Sequence, residues 1–211
     1  MPFQAKTKQA IREGDAAGLK RLLNEDASLA NELIRWGKDD SLLTHPLHFV
    51  SDMLFGGVLD RGKELPLIDV LIEAGADLDF QRIPASDTPL IGAASLGAED
   101  VGIRLLDAGA KPALRGIFGE TALHWTALLG EVRLAARLIE GSELDLRDTR
   151  YNSPPLGWAV FGRYNPPAGN LGKQPEVAAV LVAAGARIDP GWLESEQVRA
   201  DSLMLAALGK G

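Results

Sequence analysis

No cysteine occurs among the 211 residues of the sequence, and this absence removes several classes of protein at once. Without cysteine there is no disulfide framework, no thiolate zinc site and no cysteine nucleophile. Histidine is almost as scarce, because His45, His48 and His124 are the only three that could carry imidazole chemistry. The lack of cysteine is consistent with a cytoplasmic protein, which is the location that we expect.

Long apolar runs and an excess of basic residues are also lacking. No segment approaches the roughly 18 consecutive apolar residues of a membrane-spanning helix, and residues 1–14 lack the apolar core of a secretory signal. The 22 basic and 29 acidic residues give a net charge of −7, which works against non-specific attraction to nucleic acid or anionic lipid. We therefore expect a soluble protein that binds neither membranes nor nucleic acid.

The sequence does contain an internal repeat. Residues 88–90 (Thr-Pro-Leu), 121–123 (Thr-Ala-Leu) and 154–156 (Pro-Pro-Leu) place their leucines 33 residues apart in both intervals. An earlier copy begins at residues 45–48 (His-Pro-Leu-His), and a shortened copy covers residues 10–23. In each full copy an aliphatic pair and then a glycine follow in a constant order: Leu71-Ile72 and Gly75, Leu105-Leu106 and Gly109, Leu138-Ile139 and Gly141, and Leu181-Val182 and Gly185.

This pattern resembles the ankyrin repeat, which has a 33-residue period and the signature T-P-L-H. The resemblance extends over about residues 4–208 and is to small stand-alone ankyrin-repeat proteins of the bacterial type. It implies an all-α solenoid of about five helix-turn-helix repeats with projecting hairpin fingers, in a single domain over residues 1–211. The approximate repeats are 4–33, 44–80, 87–114, 120–147 and 153–189, followed by a capping pair of helices at 191–208.

Local physical chemistry supports this assignment. Thr88 can cap a helix while Pro89 occupies its first turn, where a missing N–H costs nothing. Gly97 and Gly130 are placed to end the first helix of their repeats, and a second helix is predicted from about residue 98 to residue 108. Because one repeat cannot cover its own apolar face, neighbouring repeats must stack. We expect Leu105 and Leu138 in the core and Asp201 as the cap of the last helix.

Two repeats are longer than the others. The signature leucine precedes the aliphatic pair by 15 residues in the third and fourth repeats but by 24 and 25 residues in the second and fifth. The insertions cover roughly residues 52–64 and 161–174, and both end in Gly-Lys. The resemblance implies that both loops emerge on one side of the solenoid. They are either functional additions or tolerated loop growth, and they lack the second glycine and the Ser/Thr of a phosphate-binding loop.

The histidines are better explained by structure than by catalysis. His48 and His124 occupy the signature position, where the resemblance implies a ring hydrogen-bonded to neighbouring turns. His45 and His48 could share a metal ion, but two ligands without a carboxylate cluster make a weak site. A G-x-S-x-G nucleophile elbow is absent from the sequence. We therefore expect no enzymatic activity, no catalytic residue, no metal and no cofactor.

Two sets of residues are candidates for partner binding. The predicted fingers combine arginine with large apolar residues, which are the types enriched at interface hot spots. A second, apolar track follows the small residues of the first helix, which the resemblance directs toward a concave groove. The alternatives are that Trp36, Phe118 and Tyr151 pack between fingers and that the insertions cover the track. The finger candidates are Arg35, Trp36, Arg82, Ile83, Arg115, Arg150 and Tyr151, and the track candidates are Met53, Leu96, Leu128, Leu129 and Phe161.

These patterns favour a monomeric, non-enzymatic module that binds a protein or peptide through the concave face and the fingers. One alternative is a small-ligand-binding or enzyme-associated regulatory domain with a pocket near the insertions. Another is a self-association module. A converging pocket would favour the ligand-binding alternative, and an open groove would favour a protein partner.

Overall fold

A computed structural model describes residues 3–83, 86–168 and 170–209 of the chain. The structure is 56% helical, with thirteen α-helices and one two-stranded sheet among the described residues. The predicted all-α class is therefore confirmed. The chain divides into two compact units, Met1–Arg82 with Thr88–Ala110 and Ile83–Asp87 with Lys111–Gly211. The single domain over residues 1–211 stays a prediction.

The first unit consists of three helix pairs and a hairpin. The strands β1 (Ile34–Trp36) and β2 (Leu42–Thr44) pair antiparallel, with Ile34 opposite Thr44 and Trp36 opposite Leu42. Short 3-10 turns at Ala27–Ala30 and Lys38–Asp40 flank β1. The helices are α1 (Phe3–Glu13), α2 (Ala16–Glu25), α3 (Pro46–Phe55), α4 (Glu64–Glu73), α5 (Pro89–Ser95) and α6 (Glu99–Asp107).

The second unit contains two helix pairs and three short C-terminal helices. The closest helix neighbours are α7 and α9, the first helices of the two pairs, and the last helix packs on α10. The helices are α7 (Ala122–Leu129), α8 (Val132–Leu138), α9 (Pro155–Tyr164), α10 (Gln174–Ala183), α11 (Pro190–Glu194), α12 (Glu196–Ala200) and α13 (Ser202–Ala207).

Helix boundaries follow the capping residues that the sequence predicts. The Thr88 hydroxyl accepts a hydrogen bond from the Ile91 N–H at 3.2 Å, and Pro89 is the first residue of α5. Gly97 and Gly130 adopt φ of +70° and +79°, a backbone conformation that favours glycine and ends the helix. The carboxylate of Asp201 caps α13 by accepting from two backbone N–H groups. These predictions are confirmed.

Leucines at the repeated positions form the core of each unit. Leu105 in the first unit and Leu138 in the second have no exposed surface, as predicted. Their neighbours Leu106 and Ile139 are only half-buried, because consecutive residues of a helix point about 100° apart. The first leucine of each pair therefore supplies most of the burial.

The insertions begin later than the sequence pattern predicts. Residues 52 and 161 lie inside α3 and α9, which are 10 residues long, whereas α5 has 7 and α7 has 8. Part of each insertion is therefore an extra helical turn, and the irregular segments are residues 56–63, 165–168 and 170–173. The shared Gly-Lys ending directly precedes the second helix of each pair, with Lys63 and Lys173 at the N-cap positions of α4 and α10 but without a side-chain capping hydrogen bond.

Among the described residues, no helix combines the length and the apolar character needed to cross a membrane.

Truncation of the core leucines tests this packing. We expect Leu105→Ala and Leu138→Ala each to lower the free energy of unfolding by about 2–5 kcal/mol, because each leaves a cavity in a close-packed interior. Leu203→Ala is the matched control, since Leu203 is 62% exposed and should change stability by no more than about 0.5 kcal/mol. Chemical denaturation gives the values, and equal small effects for all three variants would contradict the packing.

Candidate functional site

A cavity of about 640 Å³ lies within the second unit. Its volume lies in the range of about 300–1,000 Å³ that is typical of ligand sites. None of the described residues that line it is charged, and its walls contain three of the four tryptophans and both tyrosines of the chain. The aromatic residues that line the cavity are Trp125, Tyr151, Trp158, Phe161, Tyr164 and Trp192.

Several elements of the second unit meet at this cavity. Helix α7 supplies Trp125 and Leu128, helix α11 supplies Trp192, and the segment before α9 supplies Tyr151. Helix α9 supplies most of the remaining wall, and Asn165 lies just after its end, at the start of the second insertion. The cavity is therefore bounded by a predicted finger, the first helices of two pairs, the insertion and the C-terminal cap.

Two glycines of α9 allow this close arrangement. A β-carbon at position 162 would overlap the backbone carbonyl oxygen of Leu128, so glycine lets α9 approach α7. A β-carbon at position 157 would collide with the Ser153 hydroxyl and lie 3.1 Å from the indole of Trp192. Gly157 therefore leaves the space in which Trp192 closes one side of the cavity.

The two central indoles are fixed by buried carboxylates. The Trp158 Nε1–H donates to Asp148 at 3.0 Å, and the Trp125 Nε1–H donates to Glu120 at 3.3 Å. The two rings meet edge to face, with centroids 5.1 Å apart and an interplanar angle of 83°, which is a favourable geometry for aromatic pairs. These hydrogen bonds and ring contacts fix the two indoles as one wall of the cavity.

Asp148 organises the turn before α9. Its carboxylate accepts hydrogen bonds from the backbone N–H groups of Arg150 (2.8 Å), Tyr151 (2.6 Å) and Ser153 (3.1 Å), besides the Trp158 indole. Burial alone would raise the pKa of Asp148, but these hydrogen bonds outweigh it and hold the pKa below its usual value. The side chain therefore stays ionised at neutral pH and fixes the positions of Tyr151 and Trp158.

Arg150 stacks on aromatic rings beside the cavity. Its guanidinium carbon lies 4.7 Å from the centre of the Phe118 ring and 5.3 Å from that of Tyr151, within the range of cation–π interactions. The Thr149 N–H donates to the Phe118 carbonyl at 2.7 Å and thereby joins the two predicted fingers. Phe118 is half-buried, so the packing role considered for it is consistent with the structure.

The structure places three of the sequence candidates at the cavity. Tyr151 and Phe161 are 62% and 60% exposed, and Leu128 is half-buried between them and the core. The other finger candidates lie outside this cavity. Arg35, Arg82 and Arg115 are exposed, Ile83 is 53% exposed, and Trp36 packs edge to face on Phe49 at 5.6 Å.

Two residues of the apolar track require a correction. Met53 and Leu129 are only 5% and 3% exposed, so neither belongs to an accessible surface. The cause at the second position is helix geometry: Leu128 and Leu129 are consecutive, and only one of them can face outward while the other points into the core. Leu96 is half-buried at the end of α5.

Sequence reasoning missed four of the aromatic wall residues. Trp125 and Trp158 are 33 residues apart and follow the signature position directly, so the repeat period alone could have identified them as equivalent. Tyr164 and Trp192 carry no such signal, because they reach the cavity through the longer α9 and through the C-terminal helices. Asp148 also carries no signal in the sequence, because its role depends on the hydrogen bonds that its carboxylate accepts in the folded chain.

The histidine at the fourth signature is a neutral structural residue. His124 Nδ1 accepts from the Thr121 N–H at 3.1 Å, while Nε2–H donates to the Leu146 carbonyl at 3.1 Å. Burial lowers the pKa of His124 to about 4, although Asp148 and the Leu146 carbonyl act in the opposite direction. Both ring nitrogens are therefore used in holding the turns.

His45 plays a similar part in the first unit. Its Nδ1 accepts from the Leu47 N–H at 3.3 Å, its Nε2 bonds to the Asn31 side chain at 3.0 Å, and its ring stacks on Phe80. Burial, followed by the charge of His48, lowers the pKa of His45 to about 3. These contacts use both nitrogens that a shared metal ion would need.

Comparison with known proteins gives one partial similarity. The human 2-5A-dependent ribonuclease is 35% identical over 74 residues, which is 35% of this chain and 10% of the relative. That protein contains ankyrin repeats, so the match hints at ankyrin-like repeats here. The chain thus spans about a tenth of the length of this curated relative. No family model matches the chain.

The buried histidines predict a loss of stability in acid. Their folded-state pKa values of about 3 and about 4 lie below the usual 6.5, so the unfolded chain binds more protons below pH 6.5. Stability is therefore complete above pH 6.5 and decreases as the pH falls toward 4. Asp52 opposes this trend, because burial outweighs a hydrogen bond with Thr44 and raises its pKa from 3.8 to about 6.

Asp52→Asn separates the two effects. At pH 7 the substitution should raise the free energy of unfolding by about 1–2 kcal/mol, because it removes a half-buried charge. Between pH 6 and pH 4 the variant should lose stability more steeply than the parent chain. Urea denaturation at several pH values measures both effects, with the exposed Asp60→Asn as control. Identical pH profiles for Asp52→Asn and the parent would contradict the assignment.

Proposed function

We propose that this chain is an ankyrin-repeat protein that binds a protein or peptide partner and has no enzymatic activity. The observation that carries the proposal is the uncharged, aromatic cavity of the second unit, which lies where a predicted finger meets the first helices of two repeats. The unit presents this cavity as a binding site for a large apolar side chain of the partner.

The repeat assignment is supported by several independent features. Helix pairs recur at the predicted positions, the signature residues Thr88 and Thr121 precede the first helices of their pairs, and His124 completes a capping box with Thr121. The partial similarity to a protein with ankyrin repeats agrees with this assignment. A solenoid built from these repeats is part of the proposal.

The composition of the cavity favours a peptide or protein partner. Tyrosine and tryptophan dominate hot spots because they combine a large apolar area with little conformational entropy to lose. The rim provides neutral hydrogen-bonding side chains, namely Asn165, Ser195 and Gln197, which suit the amide groups of a peptide backbone. Phe161 and Tyr151 expose most of their surface at the cavity, and an exposed apolar patch of this kind marks an interaction surface.

The chemistry of the cavity also favours binding over catalysis. Its ionisable lining residues are the two tyrosines, Tyr151 and Tyr164. Burial, followed by the charge of Asp201, raises the pKa of Tyr164 above its usual value of 10, which moves this phenol away from use as a base at neutral pH. The buried histidines are engaged in turns, so the proposal assigns them no catalytic role.

A small apolar molecule is the second candidate ligand. The cavity volume of about 640 Å³ suits a molecule of drug-like size, and an uncharged aromatic lining suits an uncharged ligand. Such a ligand would use the same walls.

Two exposed phenylalanines provide a matched test of the proposal. Phe161 is 60% exposed at the cavity, and Phe55 is 56% exposed in the other unit. For a partner captured by the parent chain, we expect Phe161→Ala to weaken binding about tenfold or more and to act mainly on the dissociation rate. Phe55→Ala should bind like the parent. A partner that tolerates Phe161→Ala as well as Phe55→Ala would exclude the cavity as its site.

The arginine fingers give a second readout with the same partner. Arg82→Glu combined with Arg115→Glu should slow association mostly at low salt, because exposed charges steer encounter more than they hold the complex. Leu128→Ala should instead quicken dissociation. Unchanged association and dissociation rates for both folded variants would contradict binding through the predicted groove. The loops around Gly62 and Gly172 would then be the next surface to mutate.

A further inference from the structure

We infer that the cavity and Arg150 form one composite site, which binds a peptide segment with a large apolar side chain next to a carboxylate. This inference rests on the proposed binding function and specifies the chemistry of the partner. The apolar side chain occupies the aromatic cavity, and the neighbouring Asp or Glu pairs with the Arg150 guanidinium.

The position of Arg150 is fixed by the turn that carries it. The Asp148 carboxylate accepts from the N–H groups of Arg150 and Tyr151, and the Asp148 N–H donates to the Ser153 carbonyl at 3.1 Å, which closes the turn. The Thr149–Phe118 hydrogen bond then places the guanidinium over the Phe118 ring. The guanidinium carbon lies 4.7 Å from the centre of the Phe118 ring, and a guanidinium beside an aromatic ring can still donate its N–H groups to a carboxylate.

Charge distribution around the cavity singles out Arg150. Arg163 pairs with Asp201 at 2.7 Å, and Arg187 pairs with Asp145 at 3.2 Å. Arg147 donates to the carbonyl of Asn152. Within residues 3–83, 86–168 and 170–209, no carboxylate forms an ion pair with Arg150, which is exposed. Arg150 is therefore an exposed cation beside a cavity whose described lining residues carry no charge.

This arrangement selects against other ligand charges. A cation in the cavity would gain cation–π contacts with the aromatic walls, but it would be repelled by the nearby Arg150. No lining carboxylate would compensate, because Asp148 is buried and its oxygens already accept four N–H groups. A polyanion would place further charges against aromatic walls that provide no basic partner. The site therefore suits a ligand with one apolar group for the cavity and one carboxylate for Arg150.

Distance limits the spacing between the two groups of the partner. The Arg150 guanidinium carbon is 5.3 Å from the centre of the Tyr151 ring, which itself lines the cavity. An extended peptide advances about 3.3 Å per residue. The acidic residue of the partner is therefore expected close in sequence to the apolar residue that fills the cavity.

Three indole compounds that differ in charge test the composite site. N-acetyltryptophan carries a carboxylate, N-acetyltryptophanamide is neutral and tryptamine is a cation. Affinities are measured on the full chain by NMR titration of backbone amides at low and high salt. At low salt we expect the carboxylate to bind about three- to fivefold more tightly than the amide, since an exposed ion pair contributes little more than this. Tryptamine should bind most weakly, and 0.5 M salt should reduce the preference.

Variants separate this inference from the proposed function. Arg150→Gln should abolish the preference for the carboxylate without weakening the amide, whereas Arg187→Gln, at an exposed arginine already paired with Asp145, should leave the preference intact. Phe161→Ala should weaken all three probes. Equal binding of carboxylate and amide, a preference that survives Arg150→Gln, or strongest binding of tryptamine would overturn the composite site while leaving a binding cavity. Failure of every probe to bind would overturn the cavity itself and the proposed function with it.

Discussion

The second unit depends on one buried carboxylate. Asp148 accepts hydrogen bonds from three backbone N–H groups and from the Trp158 indole. This single side chain therefore fixes the turn before α9, the backbone of Arg150 within it and the Trp158 ring in the cavity wall. A buried charge is costly unless hydrogen bonds compensate it, and here four donors do so. The compensation explains why an ionised aspartate is compatible with the apolar surroundings of an aromatic cavity.

In both units, neutral histidines provide hydrogen-bond partners for polar groups of the turns. A turn that lies against a helix start leaves backbone groups that need partners, and an imidazole that accepts with one nitrogen and donates with the other can satisfy two groups at once. His124 does this with Thr121 and Leu146, and His45 does it with Leu47 and Asn31. The sequence of the second repeat, with histidine in place of threonine, thus preserves the cap through a different atom.

The repeat period made the helices, their caps and the core leucines predictable, because each depends on residues that are close along the chain. Helix caps at Thr88 and Asp201 and the burial of Leu105 and Leu138 follow from local chemistry and periodicity. The cavity could not be predicted in this way, because its walls come from residues that are distant along the chain. Family geometry assigned a whole track to the surface, but it did not decide which of two adjacent residues, Leu128 or Leu129, faces outward. Trp192 and Asp148 belong to the site through tertiary contacts, for which the period carries no information.

Departures from the repeat pattern created the cavity. At the signature position of the fifth repeat, glycine replaces the histidine found as His124 in the fourth, and the indole of Trp192 lies against that glycine. Five residues later, Gly162 lets α9 approach the Leu128 carbonyl, so that the helices that carry Trp125 and Trp158 pack closely. A histidine at position 157 would place its side chain where Trp192 closes the cavity. The fifth repeat therefore lacks the imidazole that holds the turn in the fourth repeat. The space beside Gly157 is occupied by Trp192, which lines the cavity proposed as the partner site.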